Sequence, residues 1–311
     1  MMLPKTIITL AFFCLFQFLP TAAVAQVGDG ARAYFPPPVN SNIVTFYQVN
    51  LEGNTPATND VVFPNLDAST DISIIQYTRS FDLWGKYVST AAVLPYSSFK
   101  GTVDTPVGDK SVSQSGWGDI SLIATIGLKN LPPFSREEWF KTDPGFFAGG
   151  VLQWTLPTGE YDPAQIVNIG ANRHSLRAGG VFYYVFGETL HDSDLGTIEF
   201  IPSLTFFTNN NELFGGRSKS QKPLLKLEGH LTKNLNKHFW ASLDFLGMYG
   251  GETKTDGSND DNTQNALGIG VTLAGVYKGV FTTKLTFGKI VARSDGGLDG
   301  NSYRLNLNFV F

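Results

Sequence analysis

Apolar and polar residues trade places one by one along most of this chain. The final stretch, NSYRLNLNFVF, puts Tyr303, Leu305, Leu307, Phe309 and Phe311 on alternate positions, with Ser302, Arg304, Asn306 and Asn308 between them. Period two is the signature of a strand whose two faces meet different surroundings. Eleven earlier segments read the same way: 42–51, 71–82, 86–96, 118–128, 146–156, 175–186, 198–206, 225–232, 241–249, 267–273 and 281–287. In the first, Ile43, Tyr47, Val49 and Leu51 share a face opposite Gln48 and Asn50. The second is ambiguous in phase, because Ile72 and Ile74 compete with Ile75, Tyr77 and Phe81.

The connections alternate in length. Long polar stretches follow the odd-numbered strands, and short ones such as DLWG, KNLNK and YKG follow several even-numbered ones. Two even connections, 129–145 and 187–196, are longer, and LPPFSREEW in the first suggests a short helical turn. Long loops on one side and short turns on the other predict an all-β fold, a transmembrane antiparallel up-and-down β-barrel of about 12 strands, with ten or fourteen as alternatives. A soluble β-sandwich also alternates. The length of the strands and the Phe, Leu and Tyr repeated around the apolar face count against it. A terminal strand with one face for lipid and one for the lumen would close the ring against the first strand and leave no unpaired backbone in hydrocarbon.

Composition agrees. Charged residues are 16% and aromatics 13% of 311 residues, with 33 glycines and a net charge of −4. That balance gives no reason to expect nucleic acid. MMLPKTIITLAFFCLFQFLPTAAVAQ has a lysine, an apolar run and Ala-Val-Ala before Gln26, the layout of a cleaved signal peptide over 1–25. Residues 26–41 then form a Pro-rich segment and 42–311 the barrel, exported to the bacterial outer membrane. Cleavage would remove Cys14, the single cysteine, and with it disulfide and thiolate chemistry. After the signal, no apolar run is long enough for a spanning helix.

Candidate chemistry lies inside the ring. By phase, Arg177, Glu199, Lys226, Glu228, His230, Asp244, Lys284 and Arg304 point into the lumen. Mixed charges there either line a wet path and bias its selectivity or pair with one another across a filled interior. Tyr34-Phe35-Pro36-Pro37-Pro38 is stiff. It either enters the barrel as a plug or, more simply, lies in the periplasm. Trp84, Trp117, Trp154, Tyr87 and Tyr249 near strand ends suit interfacial girdles. TDGSNDDN lacks the spacing of a Ca²⁺ loop, and the four histidines are scattered, so neither metal nor cofactor is expected. His174 and Ser175 are adjacent, so on a strand they face opposite ways and cannot form a nucleophile–base pair. No enzyme is expected.

GARAYFPPPVNSN at 30–42, SGWGDISL at 115–122 and LPTGEYDP followed by NIGANRHSLRAGG within 156–180 resemble the "meta-pathway of phenol degradation" family of outer-membrane barrels. The resemblance implies a channel for passive diffusion of small organic solutes, aromatic or hydrophobic ones included, and carries over no functional residues. The C-terminal pattern of Tyr303, Leu305, Leu307, Phe309 and Phe311 resembles the signal by which such barrels are recognised for assembly. Expected partners are outer-membrane lipid, the barrel-assembly machinery and a small organic solute. The alternative is a non-conducting structural or adhesive barrel that acts through its long loops.

Overall fold

In a computed structural model, residues 28–55, 61–63, 66–103, 108–190 and 192–311 are described. The expected signal peptide and His191 lie outside them. The strands are β1 (Asn42–Gly53), β2 (Leu66–Leu83), β3 (Lys86–Val103), β4 (Lys110–Trp117), β5 (Ser121–Lys129), β6 (Phe146–Thr155), β7 (Ser175–Phe186), β8 (Gly196–Phe207), β9 (Asn210–Leu213), β10 (Arg217–Gln221), β11 (Leu224–Asn234), β12 (Phe239–Gly250), β13 (Thr253–Thr255), β14 (Ser258–Asn259), β15 (Ala266–Tyr277), β16 (Phe281–Arg293) and β17 (Gly300–Val310). One short helix, α1 (Arg136–Lys141), lies between β5 and β6.

Twelve of the strands close into an antiparallel barrel in the order β1, β2, β3, β5, β6, β7, β8, β11, β12, β15, β16, β17. Each of the twelve alternating segments corresponds to one of them. Closure falls between β17 and β1, in register from Ile43 opposite Val310 to Gly53 opposite Gly300. Asn42 and Phe311 then exchange both backbone hydrogen bonds at 2.9 Å. The seam is therefore satisfied to its last residue, as hydrocarbon requires.

The alternation sorts the two faces. Val271, Leu273, Leu285, Phe200 and Phe309 are about half exposed on the outer face, while Thr272, Lys284, Ser203 and Arg304 between or beside them are buried inside. The phase of β2 resolves the same way: Ile72 is 5% exposed and lines the lumen, while Ile75 is 54% exposed and faces out. On β1 the apolar face of Val49 and Leu51 is buried inward, and Val44 and Phe46 take the lipid side. Tyr87 is a correction to the girdle set. It is buried and lumenal, whereas Trp84, Trp117, Trp154 and Tyr249 are exposed. A residue next to a turn can still fall on the inner phase of its strand.

One line of strand in the wall is interrupted. The lower half of β3 pairs with β5 and its upper half with β4, so β4 and β5 are two pieces of one line of strand interrupted at Gly118–Ile120. Pro95 of β3 sits at the interruption, where its carbonyl accepts from Gly118 N at 2.8 Å. Its missing N–H faces the same gap, so no ladder bond is lost there. The alternating segment 118–128 covers only the second of these pieces, and β4 falls in what the pattern assigns to a long connection. Beyond the barrel, β14, β13, β10 and β9 form a separate four-stranded sheet from two of the long connections. At the other end, α1 is capped by Ser135 and Glu138, each side chain meeting the other's backbone N–H.

The two faces give a stability expectation. Val271→Arg, at the centre of β15 on the lipid side, should lower unfolding stability by about 2–4 kcal/mol. Denaturant titration in lipid vesicles reads the change.

Candidate functional site: a lumen with a docked N-terminal segment

The chain before β1 turns up into the barrel. The simpler expectation of a periplasmic tail fails for a physical reason: the inner face of β8 and β11 carries carboxylates that need donors, and this segment supplies them. Glu228 accepts from Asp29 N at 2.9 Å and Gly30 N at 2.7 Å. Glu199 accepts from Arg32 N at 2.9 Å. Tyr34 N donates to the Tyr183 hydroxyl at 3.1 Å. Lower down, Phe35 packs edge-on against Trp139 and Tyr183, and Trp139 Nε1 donates to Pro36 O at 2.7 Å. The short helix thus supports the entry of the Pro-rich stretch.

The strand period explains how the socket forms. Lys226, Glu228 and His230 sit at every second position of β11 and so share its inner face. Register places Glu199 of β8 and Asp244 of β12 on either side of His230. His230 Nδ1 lies 2.6 Å from Asp244 Oδ1, and its Nε2 lies 3.0 Å from Glu228 Oε1. Arg177 of β7 grips both oxygens of Asp29, the geometry a planar guanidinium favours. Lys226 stands 3.7 Å from both Asp29 and Glu228. Burial alone would raise the Asp29 carboxyl, but Arg177 and Lys226 outweigh it and hold it well below the usual carboxylate range.

The opposite wall holds the segment by its carbonyls. Lys284 Nζ donates to Ala31 O at 2.8 Å, and Arg304 Nη1 donates to Gly28 O at 2.6 Å. Two glycines make the fit possible. A Cβ on Gly28 would overlap the Glu228 carboxylate, and one on Gly30, at φ +97°, would overlap the Arg304 guanidinium.

All eight residues expected in the lumen face inward, and the structure joins them into one polar belt around the segment. Asp29 and Arg32 are not among the residues the sequence singles out, and Tyr34 is named there only within the stiff stretch that could enter as a plug. The signal available for them was the cluster of charged and aromatic residues in GDGARAYF beside an inner face of unbalanced charge.

The segment does not fill the lumen. A cavity of about 310 Å³ lies toward the long loops, and another of about 390 Å³ toward the short turns. Asp29, Ile72, Ile74, Val93 and Gln153 line both, so they adjoin between the β2–β3 wall and the docked segment. The interruption in the wall opens onto the first of them. There the Asp119 carboxylate accepts from Gly159 N at 2.7 Å and Ala171 N at 2.8 Å, and Glu160 accepts from Trp117 N. The stretches SGWGDISL, LPTGEYDP and NIGANRH therefore meet at one point, where a long loop seals the broken strand.

The architecture has solved counterparts. The COG4313 outer membrane channel from Pseudomonas putida F1 aligns with a TM-score of 0.68 at 17% identity, over 88% of this chain and 96% of that one. The transport unit of the autotransporter AIDA-I from Escherichia coli gives 0.49 at 11% identity, over 87% and 89%. The beta domain of the Bordetella autotransporter BrkA gives 0.45 at 11%, over 88% and 100%. No curated protein matches. A family model described as "Putative MetA-pathway of phenol degradation" matches residues 52–304. The chain is an outer-membrane β-barrel that belongs to this family.

Proposed function

We infer that this barrel is a channel for passive diffusion of small organic solutes, which pass the N-terminal segment on its open side. The observation that carries the reading is the pair of adjoining cavities along the β2–β3 wall. A cavity of about 150 Å³ lined by apolar residues holds benzene, so each chamber has room for a single-ring solute. The walls mix polar and apolar side chains, which suits organic molecules with one polar group. The eight lumen residues then act in two ways. Arg177, Glu199, Lys226, Glu228, Lys284 and Arg304 hold the segment and so set the bore, His230 and Asp244 brace Glu228 from behind, and Arg177, Lys226, Lys284 and Arg304 also face the chambers. The outward residues of β17, ending at Phe311, serve assembly through the barrel-assembly machinery.

One observation favours the second reading, a non-conducting barrel acting through its loops: the segment is held by charged and backbone contacts on both sides. Conductance in planar bilayers separates the two. The folded wild-type protein should give small discrete openings. A variant lacking residues 28–35 keeps all twelve strands and should conduct markedly more. A silent truncated barrel would sink the channel reading.

A point variant tests the docking itself. Gly30→Leu should expel the segment and remove its two bonds to Glu228, each about 1.5–3 kcal/mol for a charged acceptor. Amide exchange across residues 28–35 should rise by at least about tenfold, with the barrel strands unchanged.

A further inference from the structure

The charges of the belt do not balance, and the imbalance is local. Asp29 is taken by Arg177 and Lys226. Glu228 is taken by Lys226, His230 and two backbone N–H groups. Asp244 is taken by His230, Ser242 and Thr272. Glu199 accepts from Thr197 and from Arg32 N. Arg32 of the segment goes to Thr232, Asn234 and the Trp240 ring rather than to a carboxylate. On the walls, Lys284 and Arg304 are left. Both are more than nine-tenths buried, and their hydrogen bonds go to the backbone carbonyls of Ala31, Gly28 and Asp29. Among the described residues neither has a carboxylate within ion-pair distance. Arg304 Nε is buried with no partner, and so is Asn306 Oδ1 two residues along the same face. All three side chains line the chamber of about 390 Å³ on the short-turn side.

A buried charge without a counter-charge is unfavourable, and two close together are more so. The carbonyls of the segment offer partial compensation only. A carboxylate placed between Lys284 and Arg304 would supply the missing negative charge through charge-assisted hydrogen bonds. Asn306, its carboxamide turned over, would add a donor. Across the chamber the lining changes character. Tyr34 and Phe35 of the segment and Tyr47, Ile74, Tyr87 and Val93 of the wall present aromatic and aliphatic surface. The chamber thus has a cationic side and an apolar side, at a volume that suits one ring.

We propose that this chamber is a binding site for a small organic monoanion, a carboxylate on a single-ring body, with the carboxylate on Lys284 and Arg304 and the ring against Tyr47, Ile74, Tyr87 and Val93. The inference rests on the channel reading for the solute's route and purpose, so the test measures binding apart from flux. Titration calorimetry on the folded, detergent-solubilised protein compares benzoate with benzamide, which has the same shape and no charge. Benzoate should bind one per barrel and at least tenfold more tightly. Lys284→Gln should weaken benzoate at least tenfold and leave benzamide unchanged, while Lys284→Arg, which keeps the charge, should retain most of the affinity. Arg304→Gln should act like Lys284→Gln, and heat-modifiable gel mobility confirms that each variant is folded.

Equal affinity for the two probes overturns the proposal, as does benzoate binding that survives both glutamine variants or no binding to the folded wild type. Solute entry into proteoliposomes is measured separately. Flux without binding removes the site and leaves the channel. Binding without flux keeps the site and removes the channel reading.

Discussion

A strand in hydrocarbon must have every backbone N–H and C=O paired within the protein, and the rest of this structure depends on that requirement. It forces closure at β1 and β17 down to the exchange of bonds between Asn42 and Phe311. Closure in turn fixes the phase of all twelve strands, since a slip of one residue would send every lumenal charge into lipid. Phase then decides which side chains meet. Lys226, Glu228 and His230 fall in one inward file on β11 with Asp244 and Glu199 to either side because the ladder allows no other arrangement.

An interior set by phase carries its own problem. Twelve strands enclose more space than inward side chains fill, and the three carboxylates Glu199, Glu228 and Asp244, on neighbouring strands of one wall, would repel. The N-terminal segment answers both. Its backbone donors end on Glu228 and Glu199, its carbonyls on Lys284 and Arg304, and its one carboxylate on Arg177. It is a tight turn, closed by Ala33 N on Gly30 O at 3.0 Å, and it is bonded to the walls largely through its backbone. A Cβ at position 28 would displace the Glu228 carboxylate and one at 30 the Arg304 guanidinium from their bonds to the segment, so the two glycines do more than loosen the chain.

The strands were legible from sequence because period two is a local signal: each segment announces its faces within ten residues. What the signal could not give were facts that depend on distant partners. The docked segment meets residues about two hundred positions away, and nothing within GDGARAYF names them. β4 was read as loop because its pattern, KSVSQSGW, is polar on both faces. It extends the wall above the lipid-facing band, where no apolar face is needed. The same holds for β9, β10, β13 and β14. The lumen residues were found by phase, but phase gave only direction. Which of them pair, and which two are left over, follows from the segment that phase did not place.

The segment makes the lumen asymmetric, and that asymmetry organises the function. Contacts gather on the β7–β12 and β16–β17 walls, while the β2–β3 wall keeps its apolar inner face free. Ile72, Ile74 and Val93 would have little reason to point inward if the interior were packed with polar groups or open to bulk water. They make sense beside a path for molecules that are themselves partly apolar. The sealed interruption of β4 and β5 lies on the same side, with Asp119 tying in the loop that closes it. The irregular strand and the apolar inner wall thus bound the unfilled volume on one flank, and the charges that dock the segment face it from across the lumen.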